Sequence, residues 1–215
     1  MDEHTSASGA AAPSHRLPRG ARPGRWISTS GLIGLAVAFF LPQVHGCRTD
    51  VVPFNEVFGA GERQGVSTLA FLPFFFAFAM LALCLLRAML RSALAERVLS
   101  HLACVVTMGP CLVGAGVSAL FLSDAIASQH LPGLIRGSSF AAGAAVGTGL
   151  MLWIWFKGLP RARMSACVSL GGFGSLGYFA QFLDMALYGL WVSLVSCALM
   201  GLGGFVEAEA LWDLS

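Results

Sequence analysis

Apolar positions in this chain are gathered into long runs, and the short stretches between them hold nearly all of its charge. Six runs stand out: Trp26 to Val44, Val66 to Leu86, Leu99 to Leu122, Ser138 to Phe156, Met164 to Phe182 and Met185 to Phe205. Each is near the roughly 20 residues that a helix needs to cross about 30 Å of hydrocarbon. None alternates as a barrel strand does, and backbone groups in lipid must bond within their own segment, so the runs predict helices. The expected fold is all-α, a polytopic transmembrane bundle of six spans over 26–206. A basic tail, 1–25, precedes it and a short cytoplasmic tail, 207–215, comes after it. The leading tail is rich in Ser, Ala, Gly and Pro without apolar periodicity, which predicts disorder.

Residues 164–205 form one nearly continuous apolar stretch. As a single helix it would run roughly 63 Å at 1.5 Å per residue, about twice a bilayer, so the chain must turn. Gln181 to Asp184 is the expected turn, and the Gly171 to Gly177 segment is the competing one. Pro73 and Pro110 are expected to kink the second and third spans.

Composition agrees with the pattern. The chain is 56% hydrophobic and 11% charged with a mean hydropathy of +0.75, against about 25% charged residues in an ordinary soluble domain. That is too little charge to solvate a globular surface. A net charge of +2 gives no footing for nucleic acid, so the lipid bilayer is the expected partner, together with other membrane-protein subunits or a second copy.

Distribution of the charge predicts sidedness. Arg16, Arg19, Arg22 and Arg25 precede the first run; Arg87, Arg91 and Arg97 come after the second; Lys157, Arg161 and Arg163 come after the fourth. Arg48, Arg63 and Arg136 alone fall on the alternate side. Both termini are therefore expected in the cytoplasm. Trp26, Trp153, Trp155 and Trp212 then lie near the inner interface, and Tyr178, Tyr188 and Trp191 toward the outer one. One lysine against twelve arginines, with abundant Ala and Gly, is the usage of a GC-rich bacterium, which makes the inner membrane the expected location.

Candidate chemistry is sparse. His101, Cys104, Met108 and Cys111 succeed one another at intervals of three, four and three residues, so they share one helical face. Imidazole, thiolate and thioether together suit a soft metal such as copper(I), while core packing accounts for the same residues. Cys84, Cys167 and Cys197 also lie in apolar runs, and no disulfide framework can be read from the spacing. Val44 to Cys47 comes after a basic stretch and an apolar run, loosely like a lipobox, although His45 suits that signal poorly.

Gly172, Gly174 and Gly177 spell the dinucleotide fingerprint, but the motif needs a strand before it and an acid about twenty residues later. Within an apolar span, helix packing is the better reading, as it is for Gly143 and Gly147 and for Gly171, Gly174 and Gly177. Phe54 and Phe58, four apart in the longest outer loop, fit one face of a short helix that either rests on the interface or folds back over its own bundle. Asp184 and Gln181, with His130, are the outer-side polar candidates for an intramembrane enzyme. No HExxH or GxSxG is present. Ionisable residues usually mark a proton or ion path, and here they fall near span ends.

The expected function is accordingly a non-enzymatic accessory subunit or scaffold of an inner-membrane complex. A permease or channel for a small solute or soft metal is the alternative, and an intramembrane enzyme the third. No cofactor is implied.

Overall fold

The computed structural model describes residues 21–45, 50–59, 71–90, 92–128, 145, 149, 152 and 160–212. Its long helices are α1 (Ala21–Ala38), α3 (Leu72–Met89), α4 (Ala93–Ser128), α5 (Pro160–Ala180) and α6 (Tyr188–Trp212). A short helix, α2 (Pro53–Phe58), and two-residue strands β1 (Val44–His45) and β2 (Asp50–Val51) lie between α1 and α3. The architecture is thus mostly helical, as the runs predict. Among the described residues α3 and α6 are the helices long and apolar enough to cross a membrane, so the expected six spans are met on that measure by two. Serines and glycines dilute α5, and arginines open α1. The fourth expected span, 138–156, lies almost wholly outside the described residues.

Several boundaries differ from the sequence reading, each for a local reason. Helix α1 begins at Ala21, inside the expected disordered tail, because its first turn packs on the end of α6: Ala21 is buried in one cluster with Ala162 and Leu211. It stops at Ala38, six residues short of the expected end. Pro42 cannot continue a helix, and the chain tightens through bonds from Phe40 N to the Val37 carbonyl and from Leu41 N to the Ala38 carbonyl. Helix α6 likewise runs on to Trp212, taking Glu207 out of the expected tail. Pro73 does not kink α3, since it stands in the first turn, where its missing N–H would have no intrahelical partner anyway. Pro110 lies inside α4, and the helix continues past it.

The helices pair end to end. Gly24 meets Gly203 and Glu207, Gly31 meets Ser196 and Met200, and Gly189 meets Pro42, so α1 and α6 are antiparallel over their whole lengths. A β-carbon on Gly31 would lie 2.5 Å from the Ser196 carbonyl oxygen and 2.7 Å from the Met200 nitrogen. Glycine is required there because two backbones approach each other directly. Helix α5 docks on the other side of α6 in the same way, with Gly172 against Gly201 and Gly204 against Ser165 and Ser169. Close approaches of this kind are the packing by which helices associate where apolar burial alone gains little.

These pairings sort the helix ends into two groups. At the basic end stand Arg22, Arg25, Arg87, Arg97 and Arg163. Ser92 caps α4 there by accepting from Ala95 N at 3.1 Å, and Arg87 pairs with Glu96 at 2.7 Å across the α3–α4 hairpin. At the opposite, aromatic end, Phe39 is packed by Phe40, Phe54, Phe58, Phe74, Phe75 and Phe78, with centroids 5.4 to 6.4 Å away. Phe54 and Phe58 lie against one another in α2, centroids 5.4 Å apart and rings tilted at 45°, and both pack back on Phe39.

A small polar cap closes the aromatic end. Strand β1 pairs antiparallel with β2 (Val44 with Val51, His45 with Asp50), and Val44 also bridges Ala186. The α5–α6 turn therefore falls at residues 181–187, over the expected Gln181 to Asp184 rather than at the glycines. Residues 181–187 contain no Gly or Pro; the turn is held from outside, Leu187 N donating to the Gln43 carbonyl and Gly189 N, where a β-carbon would meet the Pro42 oxygen, to the Pro42 carbonyl.

Gln43 holds this cap. Its side-chain amide donates to the Ala38 carbonyl at 2.6 Å, beside the bond that carbonyl already accepts from Leu41 N, and its oxygen accepts from the Ser193 hydroxyl at 2.9 Å. Each neutral bond is worth about 1 kcal/mol, and the partners left behind are buried. Gln43→Leu is thus expected to lower stability by about 2–3 kcal/mol, and Ser193→Ala by about 1 kcal/mol. Thermal unfolding in detergent monitored by size exclusion checks the order; equal losses for the two variants would show that Gln43 has no role beyond Ser193.

Candidate functional site

The densest meeting of reactive side chains lies on the seam between α4 and α5 at the basic end. Both helices run from that end and are in register at a nearly constant offset. His101 meets Arg163, 62 residues on; Cys104 meets Cys167, 63 residues on; and the nearest neighbours of Gly174 are Cys111 and Pro110. The hydroxyl of Thr107 is bonded to the Ala103 carbonyl of its own helix at 2.7 Å and reaches the Cys167 carbonyl across the seam at 3.3 Å.

Geometry separates the four residues expected as soft-metal ligands. Cys104 and Cys111 are buried on the α5 side, whereas His101 and Met108 are exposed. The real partner of Cys104 is the Cys167 sulfur at 3.3 Å, on another helix, and both cysteines are buried. His101 is engaged elsewhere. Its Nδ1 donates to the Arg97 carbonyl at 2.7 Å, which leaves Nε2 to accept from the Arg163 guanidinium at 3.3 Å. Among the described residues no three His, Cys, Asp or Glu side chains are grouped to hold a metal ion. The four positions of the one helical face span an arc whose edge reaches the surface, so His101 and Met108 are exposed while Cys104 and Cys111 are buried.

The other candidates are scattered over the bundle. Asp184 is exposed in the 3-10 turn at the aromatic end, and Gln181 is half-buried beside it. Gly171 is covered by the Phe76 ring, Gly174 faces Cys111, and Gly177 is half-buried in α5. Gly143, Gly147, His130 and Cys47 lie outside the described residues. Tyr188 and Trp191 are exposed at the aromatic end and Trp26 at the basic end, where the aromatic belt was expected, while Tyr178 is buried against Phe179 and Phe182.

One partly buried ionic contact has no counterpart in the sequence reading. Arg25 Nε donates to Glu207 Oε1 at 2.9 Å, joining the start of α1 to the end of α6. Its signal was legible in principle: Gly24, Ser28 and Gly31 repeat at intervals of four and three on α1, and Ser196, Met200, Gly203 and Glu207 do so on α6. No protein-family model matches the chain, and comparison with curated proteins and with solved structures finds no match.

Proposed function

We propose that this chain is a multi-pass inner-membrane protein of six spans with both termini in the cytoplasm, serving as a non-enzymatic accessory subunit or scaffold. The observation that carries the reading is how five buried polar residues are used. Gln43, Thr107, Ser169, Ser193 and Glu207 are each bonded to another part of the bundle or to their own helix, so they join helices rather than converge on a bound substrate. Large apolar side chains face outward along every long helix, among them Ile33, Leu86, Val105, Phe173, Val195 and Phe205. Such faces suit lipid and neighbouring helices of a larger assembly. The basic end, with Arg25, Arg87, Arg97 and Arg163, is the cytoplasmic one by the excess of arginine there.

Reporter fusions after Arg91 and after Arg161 are expected to be active only as cytoplasmic fusions, and gentle solubilisation is expected to yield the chain with a companion protein in fixed stoichiometry. Fusions active outside the cell overturn the sidedness. A chain that is monodisperse alone and moves a small solute into proteoliposomes overturns the subunit reading in favour of a permease.

A further inference from the structure

The Cys104 and Cys167 pair is used neither by the proposed role nor by any interaction beyond the seam. We infer that these two thiols form a redox site, which a hydroperoxide oxidises to an interhelical disulfide that locks α4 to α5. Their sulfurs stand 3.3 Å apart on parallel helices, and Thr107 fixes the backbone at the same level by bonding to the Cys167 carbonyl. A disulfide closes at about 2.05 Å, so the sulfurs need move only about 1.3 Å, within reach of a small χ1 adjustment.

The imidazole one turn away is turned to Arg163 rather than to the two sulfurs, so the pair stands by itself as a dithiol.

Access comes from the basic end. Cys104 lies one turn below the exposed His101, roughly 5 Å along the axis, and a hydroperoxide is small and neutral enough to reach it from water or from oxidised lipid. One sulfur, as thiolate, attacks the peroxide; an S–O bond forms, the O–O bond breaks, and the departing alkoxide takes up the proton that the thiol gave up. The second thiol then attacks the resulting sulfenic sulfur. An S–S bond forms, the S–O bond breaks, and hydroxide leaves with the second thiol proton as water. Two thiols and one hydroperoxide become one disulfide, one alcohol and one water, with two electrons passed to the peroxide. Because the bond joins positions 63 residues apart, it constrains the whole segment between α4 and α5.

The test treats the full-length protein, purified in detergent, with tert-butyl hydroperoxide, then applies unreduced proteolysis and mass spectrometry. The expected product is a peptide containing Cys104 joined to one containing Cys167, lighter by two hydrogens and released by dithiothreitol. Cys104→Ser and Cys104→Ala should both lack it, and Cys111→Ala should retain it. The mapping on the unaltered chain stands whether or not the variants fold. Recovery of Cys104 and Cys167 as free thiols or as sulfinic acids, or a bond from either one to Cys84, Cys111 or Cys197, overturns the proposal.

Discussion

Gly31→Leu is expected to prevent stable assembly of the bundle. A β-carbon at this position would fall 2.5 Å from one backbone atom of α6 and 2.7 Å from another, and the rest of a leucine would extend further into the same space. Side chains can change rotamer to relieve a clash, but a helix backbone cannot, so α1 and α6 would have to separate. Separation at Gly31 also pulls on Gly24 and Gly203, which sit on the same contact line. Overpacking usually costs about 1–3 kcal/mol, and this substitution belongs at or above the upper end because the obstacle is main chain. Gly116→Ala is the control, since nothing lies within 4 Å of a β-carbon there; its expected change is within about 0.5 kcal/mol. Thermal midpoints from fluorescence-detected size exclusion compare the two. A Gly31→Leu protein as heat-stable as the parent would refute the α1–α6 packing.

How much of this was legible in the sequence depends on the kind of signal. Apolar runs identify the helices, since a stretch that long and that poor in charge has few other fates. Their ends were read less well. Ala21 and Glu207 look like tail residues by composition, yet each is buried by the other helix of the α1–α6 pair, a tertiary contact that local pattern does not carry. The α5–α6 turn falls over Gln181 and Asp184, the only strongly polar interruptions in its run, although the strand contacts that fix it come from residues far away in sequence. At the candidate site, the spacing of His101, Cys104, Met108 and Cys111 describes one helix by itself. It was silent about which neighbour each residue meets, and the pairing of Cys104 with Cys167 depends on the register of two helices. Glycine placement held more information than was taken from it. The repeats on α5 are dense, whereas Gly24 and Gly31 sit seven residues apart with Ser28 on the same contact line and mark a close approach of α1 to the α6 backbone.

The ionic contact at the basic end should behave as a single unit rather than as two residues. Glu207 has only 6% of its side chain exposed, and its carboxylate accepts from Arg25, whose side chain is 41% exposed. Removing the arginine leaves a carboxylate in a packed helix crossing without its cationic partner, whereas removing the charge from Glu207 leaves an arginine that water can still reach. The two losses are therefore unequal. Arg25→Ala is expected to cost about 2 kcal/mol, below the roughly 3–5 kcal/mol seen when a fully buried pair is broken, because solvent screens the guanidinium side. Glu207→Gln keeps the shape and an acceptor oxygen and should cost about 1 kcal/mol. The informative variant is the double one. With Arg25→Ala and Glu207→Gln together no buried charge is left without its partner, so the double variant should be more stable than Arg25→Ala alone, and the cycle should give a coupling of about 1–2 kcal/mol. Thermal midpoints of the four proteins in one detergent at one ionic strength measure it. If the two effects simply add, the contact between Arg25 and Glu207 is incidental, and the glycine-lined approach of α1 to α6 holds the basic end closed by itself.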